Sequence, residues 1–229
     1  MVTRRFGRAG SSPVVVVALL ALFAMYVATG LLGKLSHIDA ELWLTLDAPR
    51  VVQGEVWRPF SYGLLHSLRV PLHLLLNGLM LWFFGRDIEV RLGTARFAGF
   101  LVLAVVIGGI FVTGGWLLGI GEPYVVGFSA AVEACVVAWA LFNKDAPVLL
   151  FFALPMRGIH MLVLAVLMWV LQAVGTSPVS ASAHLGGIAT GVVTWFVVAR
   201  RNRIKLFFSR RPKLTVVPPH KGKSDPWMN

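Results

Sequence analysis

Six apolar runs, separated by shorter polar or charged stretches, form the main pattern along this chain. About 20 apolar residues suffice for a helix to cross a bilayer. The pattern therefore predicts an all-α, polytopic membrane protein with a membrane domain at residues 13–200. Its six predicted helices cover about 13–33, 71–84, 97–120, 125–142, 158–174 and 183–199. The second run is short for a span, but Pro71 suits a first helical turn.

The polar stretches predict the orientation. Residues 1–12 form a basic N-terminus, and 201–229 form a basic tail with several prolines, which we expect to be disordered. The loops at 121–126 and 175–182 contain no Lys or Arg, whereas the other short connections do. Because cytoplasmic loops carry the excess of these residues, both termini are predicted to be cytoplasmic and the outer loop 34–70 external. The charged stretch 85–96 is predicted as a turn, and 146–157 as a surface connection.

Composition supports a membrane protein: 57% of the residues are hydrophobic and 14% are charged, against about 25% charged in ordinary soluble domains. Much of the net charge of +11 lies at the two ends. In a membrane protein such ends anchor to the lipid surface, so we expect a bilayer and no nucleic acid as partner. The Ala-, Val-, Gly- and Arg-rich usage indicates a bacterial plasma membrane. The single Cys135 lies in an apolar run and is interpreted as a small apolar filler.

Polar residues recur at the start of three predicted helices. His73 and Asn77 are one turn apart in the second helix, Ser129 opens the fourth, and His184 opens the sixth. In the predicted orientation these three helices all begin at the outer face, so the polar groups share one depth. Polar groups are costly in hydrocarbon and usually mark function. Small residues on the fourth and sixth helices (Ala130, Ala134, Ala138, Gly187 and Gly191) allow the two helices to pack closely.

Close packing of those faces predicts a serine–histidine pair. Ser129 then attacks a carbonyl, and His184 takes its proton as general base and returns it to the leaving amine as general acid. His73, Asn77 and the Ser129 N–H are candidate donors to the oxyanion.

The ordered set of motifs resembles the rhomboid family of intramembrane serine proteases. The set comprises Trp57-Arg58, His73-x-x-x-Asn77, Gly85-x-x-x-Glu89-x-x-Leu92-Gly93, Gly127-x-Ser129 and Ala183-His184-x-x-Gly187-x-x-x-Gly191. The resemblance implies a six-helix rhomboid fold, a Ser129–His184 catalytic dyad and oxyanion roles for His73 and Asn77. It also implies a structural role for Trp57 and Arg58, transmembrane segments of other proteins as substrates, substrate entry beside the fifth helix, and no cofactor.

Two positions depart from the family pattern. Ala130 stands where the family usually has glycine, and its methyl group is expected to tighten the site. Glu133 stands where an aromatic or apolar residue is common. Its spacing from Ser129 leaves three alternatives: it orients His184, it is protonated by burial, or it pairs with another group.

Other interpretations stay open. Ser129 can be a packing residue, and His73 and Asn77 can tie the outer loop to the second helix. His37, His66 and His160 show no partner pattern and are interpreted as structural, as are Arg58, Arg86 and Glu89 in loops. The spacing of His73, Glu133 and His184 is a poor zinc signature, so no metal is expected. The alternative functions are a catalytically inactive rhomboid-like protein that binds membrane clients, and a small transporter.

Overall fold

The computed structural model describes residues 12–35, 40–121, 123–150, 153–174 and 178–208, and it is mostly helical, as the sequence predicts. The described helices are α1 (Pro13–Leu35), α2 (Ala40–Leu44), α3 (Ala48–Val52), α4 (Arg58–Ser61), α5 (Pro71–Met80), α6 (Arg86–Leu92), α7 (Thr94–Leu117), α8 (Ser129–Phe142), α9 (Gly158–Val174) and α10 (Pro178–Phe208). Two antiparallel strand pairs, which the sequence did not predict, are β1 (Leu46–Asp47) with β2 (Tyr124–Val125) and β3 (Pro147–Leu150) with β4 (Leu154–Arg157).

Three of the described helical segments are long and apolar enough to cross a membrane: Pro13–Leu35, Thr94–Leu117 and Ala181–Arg201. Helices α5, α8 and α9 have 10, 14 and 17 residues, so the count of six spans remains a prediction. Several large apolar side chains on α1 and α9 are more than half exposed, for example Phe23 at 62% and Leu171 at 57%. Apolar surface of this kind requires lipid around it, and the chain is an integral membrane protein.

The second predicted helix continues beyond its expected end. A π-helical turn at Leu81–Gly85 joins α5 to α6, so the expected turn at 85–96 is wrong up to Leu92. Asp87 and Arg91 form an i, i+4 ion pair at 3.1 Å that favours the helix over a turn. Gly93, at a φ of +81°, ends the helix.

Glu89 lies in α6 rather than in a loop, and it holds α1. Its carboxylate accepts hydrogen bonds from the backbone N–H groups of Val14 at 3.1 Å and Val15 at 3.0 Å. The first N–H groups of a helix lack partners within the helix, and a negative charge there also complements the helix dipole. The buried carboxylate therefore caps α1.

Two other helices begin away from their predicted starts. Helix α8 begins at Ser129 instead of 125, because Val125 pairs with Leu46 in the β1–β2 sheet. Helix α10 begins at Pro178, so the predicted loop 175–182 is helical from 178 onward. Proline is well suited to the first turn of a helix, as it is at Pro71 in α5.

The chain divides into two units, Met1–Phe196 and Val197–Asn229. The second unit is helical as far as Phe208. The predicted disordered tail is therefore wrong for residues 201–208, where Arg and Lys, both good helix formers, precede the first proline at 212. Residues 209–229 lie outside the described residues, as do residues 1–11 of the basic N-terminus.

The described part of the predicted outer loop, residues 40–70, has its own structure, built around Arg58. The guanidinium is 1% exposed and donates to the Glu55 carboxylate at 2.6 Å, to Thr45 O at 2.6 Å and to Leu42 O at 2.9 Å. Trp57 Nε1 donates to Trp43 O at 3.1 Å. These bonds fold the loop onto itself, and its strand β1 then pairs with the segment directly before α8.

Candidate active site

The turn before α8 requires a glycine at position 127. Gly127 has a φ of +126°, a conformation that side-chain-bearing residues rarely adopt. A Cβ at this position would also lie 2.7 Å from Cε1 of His73. The Gly127 N–H donates to the Tyr62 carbonyl at 3.0 Å. The turn is therefore fixed from one side by the outer loop, with the His73 ring packed directly against it.

Ser129 is the first residue of α8, and it is 9% exposed. The N–H groups of Ala131 and Val132 donate back to the Phe128 carbonyl. The N–H groups of Ser129 and Ala130 precede these first intrahelical bonds. The N-terminus of a helix carries partial positive charge, so it favours an anion beside the hydroxyl.

Helices α8 and α10 pack with their backbones in contact, as the small residues on their faces predicted. A Cβ at Gly187 would overlap the Ala130 carbonyl oxygen, and one at Gly191 would lie 2.7 Å from the Ala134 carbonyl oxygen. Both contacts advance by four residues along both helices, so the helices run parallel. In this register His184 lies opposite position 127, about 3 Å along the axis from the level of Ser129 at 1.5 Å per residue.

Helix α7 packs against α8 and α10 close to Ser129 and His184. A Cβ at Gly108 of α7 would lie 2.6 Å from the Tyr62 hydroxyl oxygen, 2.7 Å from Ala130 Cβ and 3.3 Å from the Ala183 carbonyl oxygen. The neighbours of Ser129 and His184 in the chain thus meet at one glycine. Sequence reasoning missed Gly108, because a glycine in a helix without polar neighbours gives no sign of its partners.

His184 contacts Glu133. The Nδ1 atom of His184 lies 3.6 Å from Oε2 of Glu133, and the two side chains are 17% and 15% exposed. The other carboxylate oxygen, Oε1, is buried and has no hydrogen-bond partner among the described residues. Glu133 lies one helical turn beyond Ser129, so the two side chains share a face of α8. The face that carries Ser129 is therefore the face directed at His184.

His73 and Asn77 meet a third polar residue, His66. The Nδ2 atom of Asn77 lies 3.0 Å from Nε2 of His66, and the His66 and His73 rings pack edge to face with centroids 5.2 Å apart. The Asn77 nitrogen only donates, so His66 accepts and its ring proton lies on Nδ1. The amide keeps a second N–H, and His73 is near enough to His184 for their charges to interact.

His66 is a residue that sequence reasoning placed wrongly among those without a partner. It is 2% exposed and precedes α5, outside the membrane-spanning segments. Burial, with a smaller contribution from the charge of His73, lowers the pKa of His66 to about 4. The side chain is therefore neutral at ordinary pH and can accept from Asn77. A chain reversal between 65 and 71 produces the contact, and helical periodicity cannot reveal such a reversal.

The remaining predicted residues lie away from this cluster. Trp57 and Arg58 belong to the outer-loop network, Arg86 packs over the Trp82 ring at 4.5 Å, and His160 Nδ1 accepts from the Arg157 N–H at 3.1 Å. His37 lies outside the described residues. No group of three possible metal ligands occurs within the described residues.

The described helices pack through glycine, and a serine at one helix start is aligned with a histidine on a parallel helix. This arrangement is the one expected of a rhomboid-like membrane protein. The family model for the Rhomboid domain matches residues 53–201, more than half of the chain, and the chain belongs to the rhomboid family.

Several relatives carry the name "Rhomboid protease GlpG". The protein from Salmonella paratyphi A is 27% identical over 199 residues, and the one from Klebsiella pneumoniae subsp. pneumoniae is 28% identical over 198. Both matches cover 83% of this chain and 64% of the relative.

Proposed function

We propose that the protein is an intramembrane serine endopeptidase that cleaves transmembrane segments of other membrane proteins. The observation that carries this proposal is the parallel register of α8 and α10, which aligns the start of α8 with His184. Membership of the rhomboid family and the names of the relatives support the same chemistry.

In the proposed reaction Ser129 is the nucleophile and His184 the general base and acid. The Ser129 Oγ attacks the scissile carbonyl carbon while His184 takes the hydroxyl proton. The tetrahedral intermediate collapses when His184 gives that proton to the leaving amine. A water molecule then attacks the acyl-enzyme, again with His184 as base, and releases the new carboxyl group.

The developing oxyanion needs donors at the same place. The backbone N–H at the start of α8, the His73 ring packed on Gly127 and the second N–H of Asn77 are the proposed donors. The glycine turn positions the first two groups together. His66, by accepting one Asn77 N–H, fixes the rotamer of the amide.

The same proposal gives the protein its place in the cell. Both termini lie in the cytoplasm, and the cluster lies near the outer face of a bacterial inner membrane. The exclusion of Lys and Arg from 121–126 supports this orientation. The partners are the bilayer and transmembrane protein substrates, which we expect to enter beside the fifth predicted helix, α9.

The test uses the full chain in proteoliposomes. A fluorophosphonate probe should label the wild type, and a fluorogenic transmembrane peptide should be cleaved. Ser129→Ala and His184→Ala should abolish both signals, whereas Ser67→Ala and His160→Ala should retain both. A wild type that is folded but neither labelled nor active would instead favour an inactive protein that binds membrane clients.

A further inference from the structure

The carboxylate of Glu133 lies beside Nδ1 of His184. Nδ1 is the ring nitrogen that the proposed reaction with Ser129 does not use. Oε2 of Glu133 lies 3.6 Å from His184 Nδ1, so the proposed base can direct Nε2 at Ser129. The separation is longer than a hydrogen bond. Catalytic hydrogen bonds are often long in unliganded enzymes and shorten when the substrate binds.

The burial of this carboxylate calls for an explanation. Glu133 is 15% exposed, and its Oε1 is buried with no hydrogen-bond partner among the described residues. A carboxylate in such a place is costly unless a positive charge appears beside it. An imidazolium at His184 forms during the proposed reaction, and it would supply that charge at the moment when the tetrahedral intermediate forms.

We propose that Glu133 is a positioning residue that completes a Ser129–His184–Glu133 triad, an inference that rests on the proposed proteolytic function. The carboxylate accepts the Nδ1 proton of His184, which leaves the Nε2 lone pair free to take the serine proton. It then stabilises the imidazolium electrostatically. The proton stays on His184 until it passes to the leaving amine, and Glu133 itself neither gains nor loses one.

Among the described groups around His184, Glu133 is the one that can supply a negative charge. Helix α8 contributes Glu133, and α5 contributes His73, which is a base and brings no negative charge. Helix α7 faces Ala183 through Gly108, and the nearby Tyr62 hydroxyl donates to the Val105 carbonyl at 2.9 Å. Glu133 is therefore the acidic side chain that contacts His184 in the described part of the chain.

Kinetics on the full chain in detergent micelles or proteoliposomes give the first test. Glu133→Gln should lower kcat between about tenfold and 10⁴-fold, the upper figure being that of the aspartate-to-asparagine change in a soluble Ser-His-Asp protease. KM should stay within about twofold, because Glu133 does not touch substrate. Glu133→Asp, which keeps the charge, should retain more of kcat. Asp145→Asn, an equal charge change at an exposed site beyond α8, is the matched control.

Histidine ¹⁵N NMR gives a second test that needs no activity. Neutral His184, assigned by its loss in His184→Ala, should carry its proton on Nδ1 in the wild type. Glu133→Gln should show a mixture of tautomers, because the amide can donate or accept. A wild-type Nε2–H tautomer would overturn the proposal even if no Glu133 variant folds.

The outcomes separate the two proposals. If Glu133→Gln keeps the wild-type kcat while Ser129→Ala is inactive, the protease stands and the positioning role fails. A wild type that the fluorophosphonate does not label removes the protease and the triad together.

Discussion

At the scale of single residues, the proposed oxyanion donors His73 and Asn77 can be tested most directly. Removing one such donor costs about 10²–10³ in kcat in a well-studied serine protease. His73→Ala and Asn77→Ala should each lower kcat by about that factor and change KM little. Cleavage of the transmembrane peptide at saturating substrate measures this. A raised KM with unchanged kcat would place both residues in substrate binding instead.

His66 predicts how stability depends on pH. An unfolded histidine titrates near 6.5, and the pKa of folded His66 is about 4. Between these values the unfolded chain binds more protons, so the stabilisation is present above pH 6.5 and is lost as the pH falls toward 4. The unfolding midpoint of the wild type should therefore fall more between pH 7.5 and pH 5 than that of His66→Gln. Parallel shifts in the two proteins would contradict this.

Helical spacing in the sequence predicts some of the contacts between site residues but not others. Spacing placed His73 with Asn77 and Ser129 with Glu133, because each pair lies on one helical turn. The spacing of Ser129 and Glu133 left a contact with His184 as one of three alternatives, and in the structure Glu133 Oε2 lies 3.6 Å from His184 Nδ1. Spacing could not find His66 or Tyr62, because their contacts depend on how an irregular loop folds back, and no periodicity encodes that.

At the scale of elements, the α8–α10 contact depends on the absence of side chains. Gly187→Ala would place a methyl group on the Ala130 carbonyl oxygen, and overpacking of this kind costs about 1–3 kcal/mol. We expect a lower unfolding midpoint and weaker fluorophosphonate labelling, since His184 moves with α10. Gly99→Ala on α7 is the control, because a Cβ there meets nothing within 4 Å. A control that fell equally would mean that packing at Gly187 is not the cause.

The carboxylate of Glu89 in α6 caps the start of α1. Glu89→Ala would leave the N–H groups of Val14 and Val15 without their acceptor, and buried unsatisfied donors cost about 1–3 kcal/mol each. Thermal unfolding in detergent should show a lower midpoint, with Glu89→Gln intermediate because its amide oxygen still accepts one bond. Asp145→Ala, at an exposed position, should leave the midpoint unchanged. An unaltered Glu89→Ala midpoint would rule out the cap.

The helix boundaries show which parts of the fold apolar content can predict and which it cannot. Apolar content located α7 and α9 closely, because a membrane helix must be apolar along its length. It placed the start of α8 too early, because Val125 is as apolar in a strand as in a helix. It ended the second helix too soon, because charge was interpreted as a turn at positions where Asp87 and Arg91 pair along a helix.

At the scale of the whole molecule, orientation is open to direct measurement. In a Cys135→Ala background, Gln53→Cys should react with a membrane-impermeant maleimide added to spheroplasts. Asp145→Cys should react only after the membrane is opened. Both positions are exposed, so access alone decides the result. The opposite pattern would invert the proposed topology and place the serine near the cytoplasm.

The π-helical turn at Leu81–Gly85 lets the parts of the second helix before and after it face different partners. It inserts one extra residue into the helical ladder, so the part with Asn77 and the part with Glu89 are rotated relative to each other. The first part meets His66, and the second meets the start of α1. A regular α-helix of the same sequence, without this wide turn, would turn the part with Glu89 by about 100° relative to the part with Asn77, and either the His66 contact or the hydrogen bonds to α1 would be lost.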